Sequence, residues 1–535
     1  MSVVRPRSRL PWPVLALLTV LALGGLGGRA SAQAVDGGDF TFGYSSSFVD
    51  TLDPHVTSQS VSHFIMMNVF DPLVYLRADG QFFPGLAESW STSPDGLVWT
   101  FKLRSGVRFH DGTPFNAEAV KFSFDRMVDP ETKSRQAGVA LRGFYDRTEV
   151  VDPTTVRIVL KKPKASFLTV ISQAFFAPVS PKAVRELGTE FGRHPVGTGP
   201  FRFVEWVQNQ HVKLARNPDY QWGPPFLGKG PAHFATLTFR QIPDAGARLA
   251  ALESGQVDAI DLPPTHQVQR LRADPRFSVK TAAQPGMPWG WPMNTKRAPT
   301  DELKVRQAMI HALDREGLVR SVHQGVFKPA YGPLTPATFG YNPAVEKMYP
   351  YDPRKAEALL DEAGWRKGPD GMRAKDGKPL VIEHYVFYTT AEAEFVQADF
   401  KKVGIKTNIY LQEVGTVNQV ATEGVKDNLA PLPFASLDPE LMSILFHSRN
   451  EGKGFSWTFQ RIKQIDDLLD QGEVQMDPAK RADIYGRFQV LAMENALFLP
   501  AFVRETIHVY RSQVQDVQFN RRGYDAYFAA MWLKK

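Results

Sequence analysis

Residues 86–127 read LAESWSTSPDGLVWTFKLRSGVRFHDGTPFNAEAVKFSFDRM and hold the densest run of local signals in the chain. Ser93-Pro94-Asp95-Gly96 is a turn: proline presets φ, aspartate hydrogen-bonds its own backbone, and glycine takes φ > 0. Trp99, Phe101 and Leu103 alternate with Thr100, Lys102 and Arg104, the period of two of a half-buried strand. Ser105-Gly106 interrupts it, Val107 and Phe109 resume it, and Asp111-Gly112 supplies a hairpin turn. Asn116 is placed to cap a helix carrying Val120, Phe124 and Met127 on one face.

Outward from this unit the pattern stays mixed. Residues 40–47 read as a first strand, and Thr57-Ser58-Gln59-Ser60 precedes an apolar helical run over 64–73. That Ser/Thr cluster is expected to cap the helix; the functional reading is that it faces a ligand. Residues 155–160 alternate as a strand, and Gly197-Thr198-Gly199-Pro200 leads into another over 203–206. Asp244 opens a helix with Leu249 and Leu252, Gly255 ends it, and 257–261 follow as a short strand, a helix-glycine-strand order typical of α/β proteins. Residues 283–294, AQPGMPWGWPMN, are rich in Pro and Trp and poor in charge, and read as a crossover between lobes. Thr300 is expected to cap the next helix, with Asp301 and Glu302 in its first turn. Asp352-Pro353 opens a further helix. Strands over 380–388, 405–412 and 496–502 alternate with helices over 395–403, 462–469 and 479–493.

These residues resemble the family 5 extracellular solute-binding proteins, the dipeptide- and oligopeptide-binding components of bacterial ABC importers. The likeness rests on Leu86-Ala87-Glu88-x-Trp90, the Asp95-Gly96 turn, the Leu103-Arg104-x-Gly106-Val107-x-Phe109-His110-Asp111-Gly112-x-x-Phe115 run, Gly197 to Phe201, Arg216-Asn217-Pro218-Asp219-Tyr220, Asn294-Thr295-Lys296 and Val305-Arg306-Gln307-Ala308. It covers nearly all of the chain beyond residue 32. It implies an α/β, two-lobe periplasmic binding protein of type II, in the large peptide-binding class, with a ligand cleft between lobes and an extra subdomain on the first. The expected organisation is lobe I at 33–285 with a subdomain inserted at about 66–195, lobe II at 286–505, and a return to lobe I over 506–535. The implied partners are a small peptide-like solute and an inner-membrane permease with its ATPases. Cofactor, metal and catalytic residues are not expected, nor is nucleic acid, and the protein is expected to act as a monomer. Candidate cleft residues are Tyr44, Thr57, Ser58, Gln59, Trp289, Trp291, Tyr385, Phe434 and Ser436; for the four large aromatics among Trp289, Trp291, Tyr385 and Phe434 a plain core role weighs at least equally. In the family's peptide binders an aspartate just before an acidic-Pro pair holds the solute's ammonium. Here Phe434-Ala435-Ser436-Leu437-Asp438-Pro439 puts Ala435 in that slot. The solute therefore need not be an unblocked peptide; a modified peptide, an opine, a sugar and a metal chelate stay open.

Composition narrows the class. The formal charge is +7, and Arg5, Arg7, Arg9 and Arg29 lie in an acid-free first 32 residues, leaving +3 on the rest. No Lys/Arg cluster marks a nucleic-acid surface. Residues 1–32 read as a signal peptide: a basic start, an apolar run over 13–26 loosened by glycines, and Ala30-Ser31-Ala32 for cleavage. The run is short for an anchor helix. The chain has no cysteine, which excludes disulfides, thiolate metal sites, a cysteine nucleophile and a lipid-modified cysteine. A periplasmic location follows. Gly223 to Gly230 imitates a phosphate loop but lacks the Ser/Thr after lysine and carries two prolines. His110 and His447, in apolar runs, read as hydrogen-bonded scaffold. Of two other classes, a carboxylate hydrolase shows no visible constellation, and a scaffold or chaperone-like periplasmic binder of unfolded chains, which would bind weakly without lobe closure, stays open as an alternative.

Overall fold

The computed structural model describes residues 34–45, 49–228, 230–523 and 525–534; the proposed signal peptide lies outside them. In the quoted stretch, the Gly96 N–H closes the turn on the Ser93 carbonyl at 2.9 Å. Strands Ala87–Thr92 and Val98–Leu103 pair antiparallel across it, and Trp99, Phe101 and Leu103 are buried. Strands Thr155–Leu160 and Tyr145–Asp152 complete a four-stranded sheet. The Ala117–Val128 helix covers it, its start capped by the Asn116 side chain accepting from Ala119 N–H at 3.0 Å. Its Phe124 ring meets Tyr145 at 5.8 Å. The resumed strand at Val107 is reduced to one bridge, Arg108 to Pro114, around the Asp111-Gly112 turn. Asp111 spends its carboxylate there, accepting from Thr113 N–H (2.9 Å) and Ser180 Oγ (2.6 Å).

A seven-stranded mixed sheet carries the first large core. Its order is Phe277–Ala283, Glu505–Arg511, Ala259–Asp261, Asp39–Tyr44, Thr236–Gln241, His211–Arg216, Phe201–Val207. Asp39–Tyr44 runs parallel to both neighbours; the other pairings are antiparallel. The core around this sheet and the four-stranded unit draws on residues 40–259 and 510–531, whereas a second core draws only on 287–502. The chain crosses between them out at 284–286 and back near 504. Phe277–Ala283 pairs with Glu505–Arg511 before the crossing, and Trp289–Pro292 pairs with the Phe498–Val503 strand after it. Between them Gln284 N–H donates to Arg504 O at 3.0 Å. The cores are thus joined by a two-stranded antiparallel ribbon.

The motif residues converge on one buried carboxylate. Asp71, 1% exposed, accepts from Tyr75 Oη (2.6 Å), Thr198 Oγ1 (2.8 Å), Tyr220 Oη (2.9 Å) and Trp222 Nε1 (2.9 Å). Gly197 and Gly199 flank Thr198 where no side chain fits: a Cβ would lie 2.1 Å from Val69 O and 2.6 Å from Val69 C, respectively. His110 ties the signature to the same turn, with its N–H on Gly197 O (2.8 Å) and its Nε2 at Gly199 O (3.0 Å).

Two expected caps differ. The Ser60–Met66 helix starts without a side-chain cap, because Thr57 directs its hydroxyl to Asp50 instead. It also stops at Met66 rather than 73, since Pro72 ends helical pairing and Asp71 must reach its donors. The next expected cap, Thr300, donates to Asn294 O (2.7 Å) and accepts from Asn428 Nδ2 (2.8 Å), so that helix begins only at Leu303.

Asp71→Ala leaves three buried donors and one half-buried donor without their acceptor and is expected to cost at least about 3 kcal/mol of folding stability, read by denaturant unfolding. Five histidines are held neutral. Burial pushes His55, His110 and His323 down to about 4 and His384 and His508 to about 3. The unfolded chain binds protons near pH 6.5 that the folded chain refuses, so this stability is present above pH 6.5 and is lost as pH falls toward 4. Asp427, pushed up to about 6 by burial, has the opposite sign and offsets one of the five below that value. Unfolding followed at pH 7, 6, 5 and 4 is expected to show the denaturation midpoint dropping from pH 6.5 downward; a flat profile to pH 5 would contradict it.

Candidate ligand-binding cleft

Ligands of open α/β sheets bind where neighbouring strands depart to opposite sides. That point is the C-terminal end of Asp39–Tyr44, which separates Thr236–Gln241 from Ala259–Asp261. Tyr44 ends the strand, buried, its hydroxyl pushed up to about 12 by burial and next by the Asp261 charge. Ser45 Oγ donates to Asp261 Oδ2 at 2.8 Å. Just beyond, Asp50 Oδ1 accepts from Thr57 Oγ1 (2.7 Å), Ser62 Oγ (2.9 Å) and Thr51 N–H (2.8 Å). Thr57 is fully buried and committed to that carboxylate, whereas Ser58 and Gln59 are exposed.

On the second core the candidates separate. Trp289, half-buried on the ribbon, stacks on Phe502 at 5.8 Å and 13° and meets Phe387 edge-on at 6.1 Å. Its Nε1 is buried without a hydrogen-bond partner. Trp291 is 1% exposed and perpendicular to His384 at 5.2 Å, a core position. Tyr385 follows His384 on the Val381–Val386 strand and so faces the other side, stacked on Tyr410 at 4.7 Å. The ribbon instead gathers Phe434 and Ser436. Phe434–Ala435 pairs with Gly286–Met287, and Ser436 N–H donates to Pro285 O at 3.1 Å. Gly286, at φ +103°, is required: a Cβ would lie 2.4 Å from Phe434 O. Ala435 is exposed. Asp438 cannot replace an anchoring acid at 435, because Arg481 grips both its oxygens at 2.8 and 2.6 Å.

A cavity of about 440 Å³ opens between the cores, lined by Asp79, Phe82 and Arg521 on one side and Phe339, Asp438 and Arg481 on the other, with Met476 reaching across to pack on the first core. A larger depression, about 810 Å³, is lined by residues of the first core alone. Beside the interlobe cavity a latch spans the gap. Lys164 pairs with Glu440, Ser166 Oγ donates to Glu440 Oε2 at 2.6 Å, and Ala165 N–H donates to Glu473 O at 3.3 Å. Lys164, Ser166, Glu440, Arg521 and Arg522 were not among the candidates. Their only sequence signals are the acid after Asp438-Pro439 and an arginine pair in the tail. No helix among the described residues is long and apolar enough to cross a membrane.

Two cores on a paired ribbon with a cavity between them define a two-lobe binding protein. The family described as "Bacterial extracellular solute-binding proteins, family 5 Middle" matches residues 81–429, and the chain belongs to it. A relative is the glutathione-binding protein GsiB of Shigella dysenteriae, 30% identical over 500 residues, 92% of this chain and 94% of that protein. HbpA2 of Haemophilus parasuis superposes with a TM-score of 0.82 at 28% identity, covering 93% of this chain and all of that one. NikA of Brucella suis in complex with Fe(III)-EDTA gives 0.81 at 29% identity, covering 92% and 100%. The chain is thus a solute-binding protein of the ABC-importer type and not an enzyme.

Glu440→Ala removes the acceptor shared by Lys164 and Ser166. A pair of this exposure is worth about 1–2 kcal/mol, so the open population is expected to rise roughly 5- to 30-fold. Small-angle scattering of the unliganded variant should show a larger radius of gyration than wild type.

Proposed function

We propose that this chain captures a peptide-like solute by lobe closure and delivers it to an inner-membrane permease and its ATPases. The observation that carries the reading is the paired ribbon beside an interlobe cavity: two adjacent crossings allow bending about one axis, which opens and closes a cleft. The lobes of the proposal are 33–285 with an inserted subdomain at about 66–195, 286–505, and the return over 506–535. Export by the 1–32 signal peptide, a periplasmic location without a lipid anchor, and action as a monomer belong to the same reading. The name of the Shigella relative, glutathione-binding, supports a peptide-like solute.

The cleft residues of this reading are Ser58, Gln59, Trp289, Phe434 and Ser436, with Tyr44 and Thr57 shaping the floor behind them. Trp291 and Tyr385 support the second lobe. An exposed Ala435, with Asp438 held by Arg481, leaves no carboxylate for an ammonium at that slot. A chelate or another amine-free solute is the second reading, favoured by that same alanine.

Native mass spectrometry of mature protein purified without refolding is expected to show one small molecule per chain that fragments as a peptide. A stoichiometric non-peptide would move the function to the second reading. Titration with a peptide and its N-acetylated form is expected to give affinities within about threefold of each other; a strict need for the free amine would refute the role assigned to Ala435.

A further inference from the structure

Residues 520–523 run along the interlobe space. Gly523 N–H donates to Asn520 O at 3.0 Å, and Gly523 packs on the outgoing crossing: a Cβ there would lie 2.8 Å from Ala283 O. Ser436 N–H binds Pro285 O two residues further on. Arg521 reaches the other way, donating to Ala78 O at 2.6 Å and lining the interlobe cavity. Arg522 therefore stands between the crossing and the start of the Ser60–Met66 helix, where its Nη2 lies 3.5 Å from Ser60 Oγ and its Cζ 5.5 Å from the Phe175 ring.

Arg522 is half-buried, and it differs from the fully buried arginines in its pairing. Arg248, Arg306, Arg315, Arg373 and Arg481 each make three or more hydrogen bonds to carbonyls or carboxylates. Arg522 Nη1 is buried and has no partner, the only arginine nitrogen so placed among the described residues. Asp525 is close enough to feel its charge, but its Oδ2 is taken by His63 Nδ1 (2.9 Å) and Asn520 Nδ2 (2.9 Å). A buried guanidinium N–H without an acceptor is a rare and costly feature, retained where a ligand supplies the acceptor. The fork geometry of arginine matches a carboxylate. On the facing side, the strand beside the same crossing offers Ala435 where an acid would select an amine.

We propose that Arg522 is the charged anchor of the cleft and that the solute presents a carboxylate to its unpartnered Nη1. The cleft then selects for an anionic group on the solute instead of an ammonium. This rests on the receptor reading above and names the chemistry of that same site.

The test uses the full mature protein with four probes: glutathione, its dimethyl ester with both carboxylates masked, trialanine, and trialanine C-terminal amide. Binding is followed by calorimetry and closure by scattering. The free acids are expected to bind and close the lobes, and masking the carboxylates or Arg522→Gln to weaken binding at least about 30-fold, with Arg522→Lys between. A merely structural Arg522 would lower the melting temperature of the unliganded protein when replaced. An anchor is expected to leave that melting temperature within about a degree or two of wild type, because removal of an unsatisfied N–H offsets loss of the weak Ser60 and Phe175 contacts. If a free acid closes the lobes but its masked form or Arg522→Gln binds equally well, the anchor is refuted while the receptor stands. If no probe binds wild type, the peptide-like reading fails and the anchor with it.

Discussion

The structure depends on the pairing of its two crossings. A single strand between two cores would leave their orientation to a swivel. Two crossings hydrogen-bonded side by side, from Phe277–Ala283 against Glu505–Arg511 to Trp289–Pro292 against Phe498–Val503, satisfy each other's backbone and leave bending as the soft motion. The same constraint explains the chain's order. The first core cannot close until Glu505–Arg511 returns between Phe277–Ala283 and Ala259–Asp261. Residues at the two ends of the sequence, such as His63 and Asp525, are therefore hydrogen-bonded in one core.

Around that ribbon the motifs that identify the family serve mostly as scaffold. Thr198 and Tyr220, from two separate motifs, meet on Asp71, and His110 from a third holds the glycine turn that carries Thr198. A buried carboxylate with four donors is stable only when all arrive, so the residues are specified together. This is why the motifs reveal kinship and say little about the solute: their polar atoms are spent on one another.

The cleft contrasts with that economy. Trp289 Nε1 and Arg522 Nη1 are buried without partners near the ribbon, while Asp438 and Glu440 are committed to Arg481 and to Lys164 with Ser166. Unspent donors beside spent carboxylates complement an anionic or carbonyl-rich solute, while Asn520 Oδ1 is also buried without a partner and can accept from one. The latch through Glu440 ties Lys164 and Ser166 to the second lobe, so solute entry competes with protein–protein contacts there.

Local structure was legible wherever period and turn chemistry agree. The 93–96 turn, the Val98–Leu103 strand, the Asn116 cap and the helices opened by Asp244, Asp352 and Asp477 follow from side chains acting on their own backbone within a few residues. Thr57 and Thr300 defied the same reasoning because partners outside the helix, Asp50 for one and Asn294 O with Asn428 for the other, claimed their hydroxyls. Among the cleft candidates, alternation on one strand separates Tyr385 from the Trp291–His384 face, but which face meets the cleft depends on the second core's packing. By itself the sequence determined the class of fold and the family, both of which are short-range or pattern properties. Only the tertiary structure decided that Asp438 is already paired and that Arg522 is not, because pairing across 43 residues, or its absence, is a matter of where the folded chain brings charges together.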